Sequence, residues 1–220
     1  MINNRSLIRL QAWLSPSFTT GAFSYSHGLE AAIEQGLVKT QDELTAWLEA
    51  LVIRGSGWND AVLLAESWRL ADRDKKLDEI IELAEAMAFS KERHLETMAQ
   101  GEAFLSAARA WNKTTYLNKF DQAALPVAVG GIASLNQVDL EATLASYLHS
   151  FISNQIQAAL RLMPLGQQAG LEILSRLEET LLKVAEKASK STIDELGSAS
   201  FMADIMGAHH EIQTSRIFRS

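Results

Sequence analysis

Apolar residues recur every three to four positions along most of the chain, a spacing that places them on one face of an α-helix. The clearest stripe consists of Leu44, Trp47, Leu48, Leu51 and Val52. Three further stripes begin at Leu77, Leu140 and Leu174. Ala, Leu and Glu are abundant and strand-like alternation is rare, so the pattern predicts helix nearly throughout.

Capping signals locate several helix starts. Thr40 and Glu43 have the spacing of a capping box, in which each side chain satisfies a backbone N–H at the start of a helix. Asp139 is a favourable N-cap for a helix that we expect to stop at Pro164. Thr192 and Glu195 form a second capping-box pattern, which predicts a short final helix.

Glycine, proline and small polar residues predict breaks between the helices. These breaks lie near residues 16–21, 55–57, 112–115, 130–131 and 164–170. None is a long linker, and the chain has no internal repeat. We therefore predict a single all-α helical-bundle domain of about eight to ten helices over residues 1–220, given usual helix lengths.

Composition narrows the class of protein. Of the 220 residues, 47% are apolar and 21% are charged, as in a folded globular protein. The absence of cysteine excludes disulfides and thiolate metal sites. The weakly polar run 123–135 is too short to span a bilayer, and a net charge of −7 disfavours nucleic-acid binding. We predict a cytoplasmic protein that binds neither nucleic acid nor membrane.

Common catalytic motifs are missing from the sequence. It has no phosphate-binding Walker loop, no Gly-x-Ser-x-Gly and no His-Glu-x-x-His. None of the five histidines follows a Glu by three positions, as the ligands of a di-iron helical bundle would. We predict no catalytic residues, and an all-α enzyme with an unfamiliar site is the weakest alternative.

Two sets of neighbouring residues contain histidine and carboxylate side chains that are able to bind a metal ion. His209, His210 and Glu211 are adjacent, but neighbouring helical side chains point about 100° apart and rarely chelate one ion. His209 and His210 are therefore only weak metal candidates, and a surface or interface pair is the favoured interpretation. His27 and Glu30 are three residues apart on one helical face, which favours a structural hydrogen bond over a weak metal site.

A cluster of charged residues lies at positions 92–96. Glu92 and Glu96 lie one helical turn apart beside Arg93 and His94. This arrangement is typical of a solvated helix face with surface salt bridges, and we interpret it in that way.

Both ends of the chain carry apolar residues that a free terminus does not need. Phe23 and Tyr25 occur in a turn-rich loop, which either folds over the core or is covered by another chain. Ile217 and Phe218 lie between arginines in the C-terminal segment. Because buried arginine and aromatic residues dominate interface energies, this segment has the character of a docking anchor.

Three segments together resemble the signatures of one family. They are SPSFTTGAFSYSHGLEAAIEQG at 15–36, RLMPLGQQAGLEIL at 161–174 and HHEIQTSRIFRS at 209–220. In this order and spacing they resemble UreF, the urease accessory protein F family, and ERHLETMAQGEAF at 92–104 agrees with it. One departure is Thr19, where the family generally carries proline, and this change affects the stiffness of the loop.

The resemblance implies an all-α protein, commonly a homodimer, that catalyses no covalent chemistry. Members of the family join accessory protein D, called H in some bacteria, and the GTPase accessory protein G on urease apoprotein. The assembly delivers nickel to the dinickel site, so we expect no tightly bound cofactor and only transient nickel. Alternatives are direct regulation of GTP hydrolysis, with Arg216 or Arg219 entering the GTPase site, and weak nickel carriage.

The resemblance also implies that residues 1–25 and 207–220 are partner-binding terminal segments. The tail is expected to become ordered only against accessory protein D, and Arg216 is expected to tie it to the N-terminal loop. The implied partner-binding residues are Phe23, Tyr25, His27, Glu30, His210, Glu211, Arg216, Ile217, Phe218 and Arg219.

Overall fold

The computed structural model describes residues 3–73, 75–111 and 122–220. These residues form helices and no strand, which confirms the predicted all-α fold. The helices are α1 (Asn4–Trp13), α2 (Leu29–Glu34), α3 (Gln41–Arg54), α4 (Ser56–Asp72), α5 (Asp78–Ala86), α6 (Lys91–Ala108), α7 (Leu125–Leu135), α8 (Leu140–Leu162), α9 (Gln167–Lys190) and α10 (Phe201–His210). Short 3₁₀ turns occupy Ala22–Ser24 and Ile193–Glu195.

The core is built around α4 and α7, which pack closely together. Helix α7 is buried along nearly its whole length, because α4, α6 and α8 all contact it. The predicted stripes supply the surrounding layer, with Leu48, Ile80, Leu148 and Leu177 all buried in one continuous cluster. The long helices α8 and α9 pack against each other at one side of this core.

Two of the predicted helix starts are confirmed. The Thr40 hydroxyl accepts from the Glu43 N–H at 3.2 Å, and the Glu43 carboxylate accepts from the Thr40 N–H at 3.0 Å. Asp139 accepts from the N–H of Ala142 at 2.9 Å and caps α8, which ends at Leu162 as the following Pro164 predicts.

The predicted capping box at Thr192 and Glu195 is wrong. This segment forms a single 3₁₀ turn, and the last helix begins only at Phe201. The indole N–H of Trp58 donates to the Glu195 carbonyl at 2.9 Å, and these contacts with α4 hold the segment in a non-helical path.

The predicted break at residues 130–131 is also wrong, because both glycines lie inside α7. A Cβ atom at Gly130 would lie 2.3 Å from the carbonyl oxygen of Leu64 on α4. Glycine is therefore present at this position because it allows the two central helices to approach each other. The break at 164–170 is shorter than expected, since α9 begins at Gln167. The predicted break at 112–115 lies outside the described residues.

No helix within the described ranges is both long enough and apolar enough to cross a membrane.

Candidate functional site

The C-terminal tail, residues 211–220, folds back onto the N-terminal loop, residues 14–28. The N–H of Ser26 donates to the carbonyl oxygen of Ser220 at 2.7 Å, and the Ser26 hydroxyl donates to the same oxygen. The N–H of Arg219 donates to the Ser24 carbonyl at 2.8 Å. Two irregular segments from opposite ends of the sequence are thus joined through their main chains.

Glu30, in the first turn of α2, holds the tail from the inside. Its carboxylate accepts hydrogen bonds from the N–H groups of Ile217 at 2.7 Å and Phe218 at 2.9 Å. It also lies 3.0 Å from Nε2 of His210. Only 6% of the Glu30 side chain is exposed, so this one carboxylate satisfies buried main-chain donors that have no helix or strand to pair with.

His210, at the end of α10, bridges two helices. Its side chain is fully buried, and Nδ1 lies 2.7 Å from the Glu92 carboxylate of α6 while Nε2 faces Glu30. Each ring nitrogen thus faces a carboxylate, one from α2 and one from α6. The Arg216 guanidinium forms an ion pair with the other oxygen of Glu92.

A second buried carboxylate, Glu96, receives contacts from the loop and the tail together. His27 adopts a positive φ of 56°, and this turn brings its Nδ1 to 2.8 Å from Glu96. The Ser220 hydroxyl donates to Glu96 at 2.8 Å, and the Gln100 amide donates at 3.2 Å. Glu96 thus ties both chain ends to α6.

Behind Glu96, a buried ion pair anchors the site to the core. Arg93 donates to the two oxygens of Asp60 at 2.9 and 2.8 Å, and the Tyr147 hydroxyl donates to Asp60 at 2.8 Å. These three residues belong to α6, α4 and α8, so the polar network is fixed by three helices of the bundle.

The charges of this network shift the ionisation of its members. Burial raises the pKa of Glu30, but the hydrogen bonds from His210 and from the main chain of the tail outweigh burial and lower it. Burial likewise raises the pKa of Glu96, yet His27, Arg93 and the Ser220 hydroxyl lower it overall. Burial, together with the nearby Asp60 charge, raises the pKa of Tyr147 well above its ordinary value.

The region where the tail, the N-terminal loop and α10 meet, which we call the junction, is closely packed. Gly28 has a φ of 74°, and a Cβ atom there would lie 2.6 Å from the main-chain nitrogen of Gly207 on α10. The Phe218 ring is buried, with the Arg161 guanidinium 4.3 Å from its centroid. Arg161 also donates to the Phe23 carbonyl at 2.8 Å, so this α8 side chain contacts both tail and loop.

Nine of the ten implied partner-binding residues fall into two groups by exposure, and Glu211 lies between them. Those whose side chains are buried in the junction are Tyr25, His27, Glu30, His210 and Phe218. Those that are exposed are Phe23, Arg216, Ile217 and Arg219. Glu211 is half-buried and accepts from the Glu92 N–H at 3.3 Å, so it caps α6, while the weak metal candidate His209 is exposed.

Three expectations need correction. Glu92 and Glu96 do not form a solvated face, because Glu96 is buried and Glu92 is only 11% exposed at its side chain. The tail is not ordered only against a partner, since Phe218 packs inside its own chain. Arg216 does not tie the tail to the loop, because its guanidinium contacts α6 and the pairing of Ser26 with Ser220 makes that connection.

Several residues of the network were not identified from the sequence, among them Asp60, Arg93, Tyr147 and Arg161. A usable signal exists in α6, where Arg93, Glu96 and Gln100 share the helical face of Phe104, a fully buried ring. Charged residues in register with an apolar stripe indicate a buried polar network, and that register distinguishes them from a solvated face.

Several large apolar side chains of α10 and of the tail are exposed. We define the α10–tail surface by its five large exposed side chains, which are Phe201, Met202, Ile205, Ile212 and Ile217. Phe201 is 69% exposed, Ile212 78% and Ile217 67%. Within the part of the chain that the structure describes, no group of three or more histidine or carboxylate side chains is arranged to hold a metal ion.

Comparison with known proteins gives consistent matches. The family model described as UreF matches residues 38–178. The urease accessory protein UreF 1 of Brucella anthropi is 50% identical over 215 residues, covering 98% of this chain and 94% of that protein. The urease accessory protein UreF of Brucella ovis is 52% identical with the same coverage. That of Mesorhizobium japonicum is 49% identical over 98% of this chain and 96% of its own length.

Replacing Glu30 with glutamine should release the tail. The variant keeps the side-chain shape but removes the charge that accepts three hydrogen bonds, each of which contributes about 1.5 to 3 kcal/mol when the acceptor is ionised. We expect trypsin to cleave after Arg216 at least about tenfold faster, while far-UV circular dichroism stays unchanged. The matched control is Glu34→Gln in the same helix, where the side chain is exposed. Equal cleavage rates in both variants would contradict this role of Glu30.

Acid should destabilise the protein through Glu30 and Glu96. Both pKa values lie below the ordinary 4.5 in the folded chain, so the unfolded chain binds more protons at low pH. The contribution of these two carboxylates to the free energy of unfolding is fully present above the unfolded-state pKa. It is lost as the pH falls through the lower folded-state pKa values. Urea denaturation should therefore show the free energy of unfolding falling between roughly pH 5 and 3, less steeply for Glu30→Gln. A slope that Glu30→Gln does not alter would contradict the assignment.

Proposed function

Because the chain belongs to the UreF family of urease accessory proteins, we propose that it is a urease maturation factor that works by binding other proteins. In this proposal it bridges accessory protein D, or H, and the GTPase accessory protein G on urease apoprotein in the cytoplasm. The assembly supports GTP-dependent delivery of nickel, which is the cargo. The chain itself catalyses no reaction.

The observation that carries this proposal is that the tail is bound to its own chain on one side and exposed to solvent on the other. Glu30 binds the main chain of Ile217 from the inside, while Ile217 as a residue is 67% exposed. The α10–tail surface is therefore apolar, solvent-facing and held in place by buried charges. Exposed apolar surfaces of this kind mark protein-binding sites, and a preorganised surface loses less entropy on binding.

The same geometry favours recruitment over direct control of GTP hydrolysis. The Arg216 guanidinium is engaged by Glu92, so an arginine that entered a nucleotide site would first have to break this ion pair. Arg219 is exposed, and it is the better candidate if hydrolysis is regulated. The nickel-carrier alternative has less support, because His210 is fully buried between two carboxylates.

A second surface supports the proposal that the protein is a homodimer. Leu171 is 63% exposed and Leu182 is 50% exposed on α9. Together with Leu174 and with His149 of α8, they line an open groove of about 500 Å³. Apolar side chains exposed along one long helix fit a self-complementary contact between two copies.

Charge placed on the α10–tail surface should weaken the accessory-protein complex. We expect Ile212→Asp with Ile217→Asp to reduce co-purification with accessory protein D or H and the GTPase by at least about tenfold, because apolar contact area is lost. The matched control is Ile193→Asp, on the 44% exposed Ile193 outside this surface. Circular dichroism should show equal helix content in both. Undiminished recovery of the complex by the double variant would refute the proposed docking surface.

Charge placed on the α9 groove should prevent self-association. Sedimentation velocity should give a dimer for the unmodified chain and a monomer for Leu171→Asp with Leu182→Asp, because the contact between copies would bury two introduced carboxylates from each chain. The control is Leu37→Asp, a 41% exposed leucine after α2. A dimer that persists in the groove variant would exclude this surface, and a monomeric unmodified chain would contradict the homodimer.

A further inference from the structure

A cavity of about 430 Å³ adjoins the buried polar network. It lies between α4, α6, α10 and the turn that joins α5 to α6. Its walls are largely apolar, with Leu51, Leu63, Met87, Phe89 and Phe201 among the lining residues. Both its volume and this combination of apolar walls with a few polar groups are typical of small-molecule sites.

The polar part of the cavity carries an excess of negative charge. It has four carboxylates and one guanidinium, from Asp60, Glu92, Glu96, Asp204 and Arg93. Arg216 neutralises one of these carboxylates, Glu92, from outside the lining. With histidine counted as neutral, the remaining excess is negative, and a cleft with low-dielectric walls concentrates such a field, so the cavity favours a cation over an anion.

Two buried polar atoms at the cavity lack a partner. The Ser56 hydroxyl and Nε2 of His27 have no hydrogen bond to any described residue, although both side chains line the cavity. The His27 side chain is only 6% exposed. Buried polar atoms are nearly always satisfied in folded proteins. With its ring proton on the Nδ1 that faces Glu96, His27 presents Nε2 as an acceptor, and the Ser56 hydroxyl can also accept, so these two atoms are suited to a donor on a bound molecule.

We propose that this cavity binds a small amphipathic cation. An aromatic or aliphatic body would fill the apolar walls, and a protonated amine would lie over the carboxylates near Ser56 and His27. This site adjoins the α10–tail surface and shares Phe201 with it. The inference does not depend on the proposed role in urease maturation.

The position of the cavity connects ligand binding to the tail. Its lining includes Gly28 of the loop, Gly207 of α10 and Ser220 of the tail. A ligand that contacts all three segments binds only when they are assembled, so by linkage it stabilises the docked tail. The site would therefore regulate how long the α10–tail surface stays ordered.

Phenethylammonium and phenylacetate provide a matched pair of probes, since they share an aromatic ring and differ in the sign of their charge. In ¹H–¹⁵N spectra of the full chain, we expect saturable shifts at Thr97 and Gly207 with phenethylammonium, with a Kd on the order of 1 mM for so small a ligand. Phenylacetate should bind at least about tenfold more weakly. Equal binding of the two probes, or no saturable shift with phenethylammonium, would overturn the proposal.

A second experiment fills the cavity with a larger side chain. Ala203→Leu places a larger side chain in the lining and should abolish the phenethylammonium shifts, whereas Ala208→Leu, on the exposed side of the same helix, should leave them unchanged. Unaltered binding by Ala203→Leu would place the site elsewhere. With the unmodified chain, saturating phenethylammonium should slow tryptic cleavage after Arg216, and an unchanged rate would overturn the link to the tail.

Discussion

The site depends on one interaction, the capture of two tail N–H groups by the buried carboxylate of Glu30. Ile217 and Phe218 lie in a segment without helix or strand, so their donors need a partner once Phe218 enters the core. Glu30 provides both hydrogen bonds and also pairs with His210. The position of the tail, the burial of Phe218 and the outward direction of Ile217 all follow from this contact.

Burying several charges is costly unless each is paired and hydrogen-bonded. In this network each buried carboxylate has such partners. His210 and Arg216 both contact Glu92. His27 and Arg93 both contact Glu96. Such networks add little net stability but define one arrangement, because removing a single member leaves an uncompensated charge. We interpret this network as the reason that two irregular chain ends adopt a specific structure on a helical bundle.

The fold was largely predictable, because apolar spacing and capping residues act locally, as at Thr40 and Asp139. The failures have non-local causes. Gly130 is helical because α4 approaches it closely, and Thr192 does not cap a helix because Trp58 holds the following segment. At the site, the motifs mark the two segments that the structure brings together, but whether Phe218 or Ile217 faces outward depends on contacts with Glu30. That partner lies 187 residues away from Ile217 in sequence and is found only through tertiary structure.

These features connect a buried ionic network to a protein-binding role, since the charges hold the tail while its outer side chains remain free. The most direct test of this account is hydrogen exchange of the Ile217 and Phe218 amides in the isolated protein. We expect both amides to exchange much more slowly than those of an unstructured peptide before any partner is added. Exchange at the unstructured rate, with protection appearing only in the accessory-protein complex, would show that the partner orders the tail and that Glu30 alone does not.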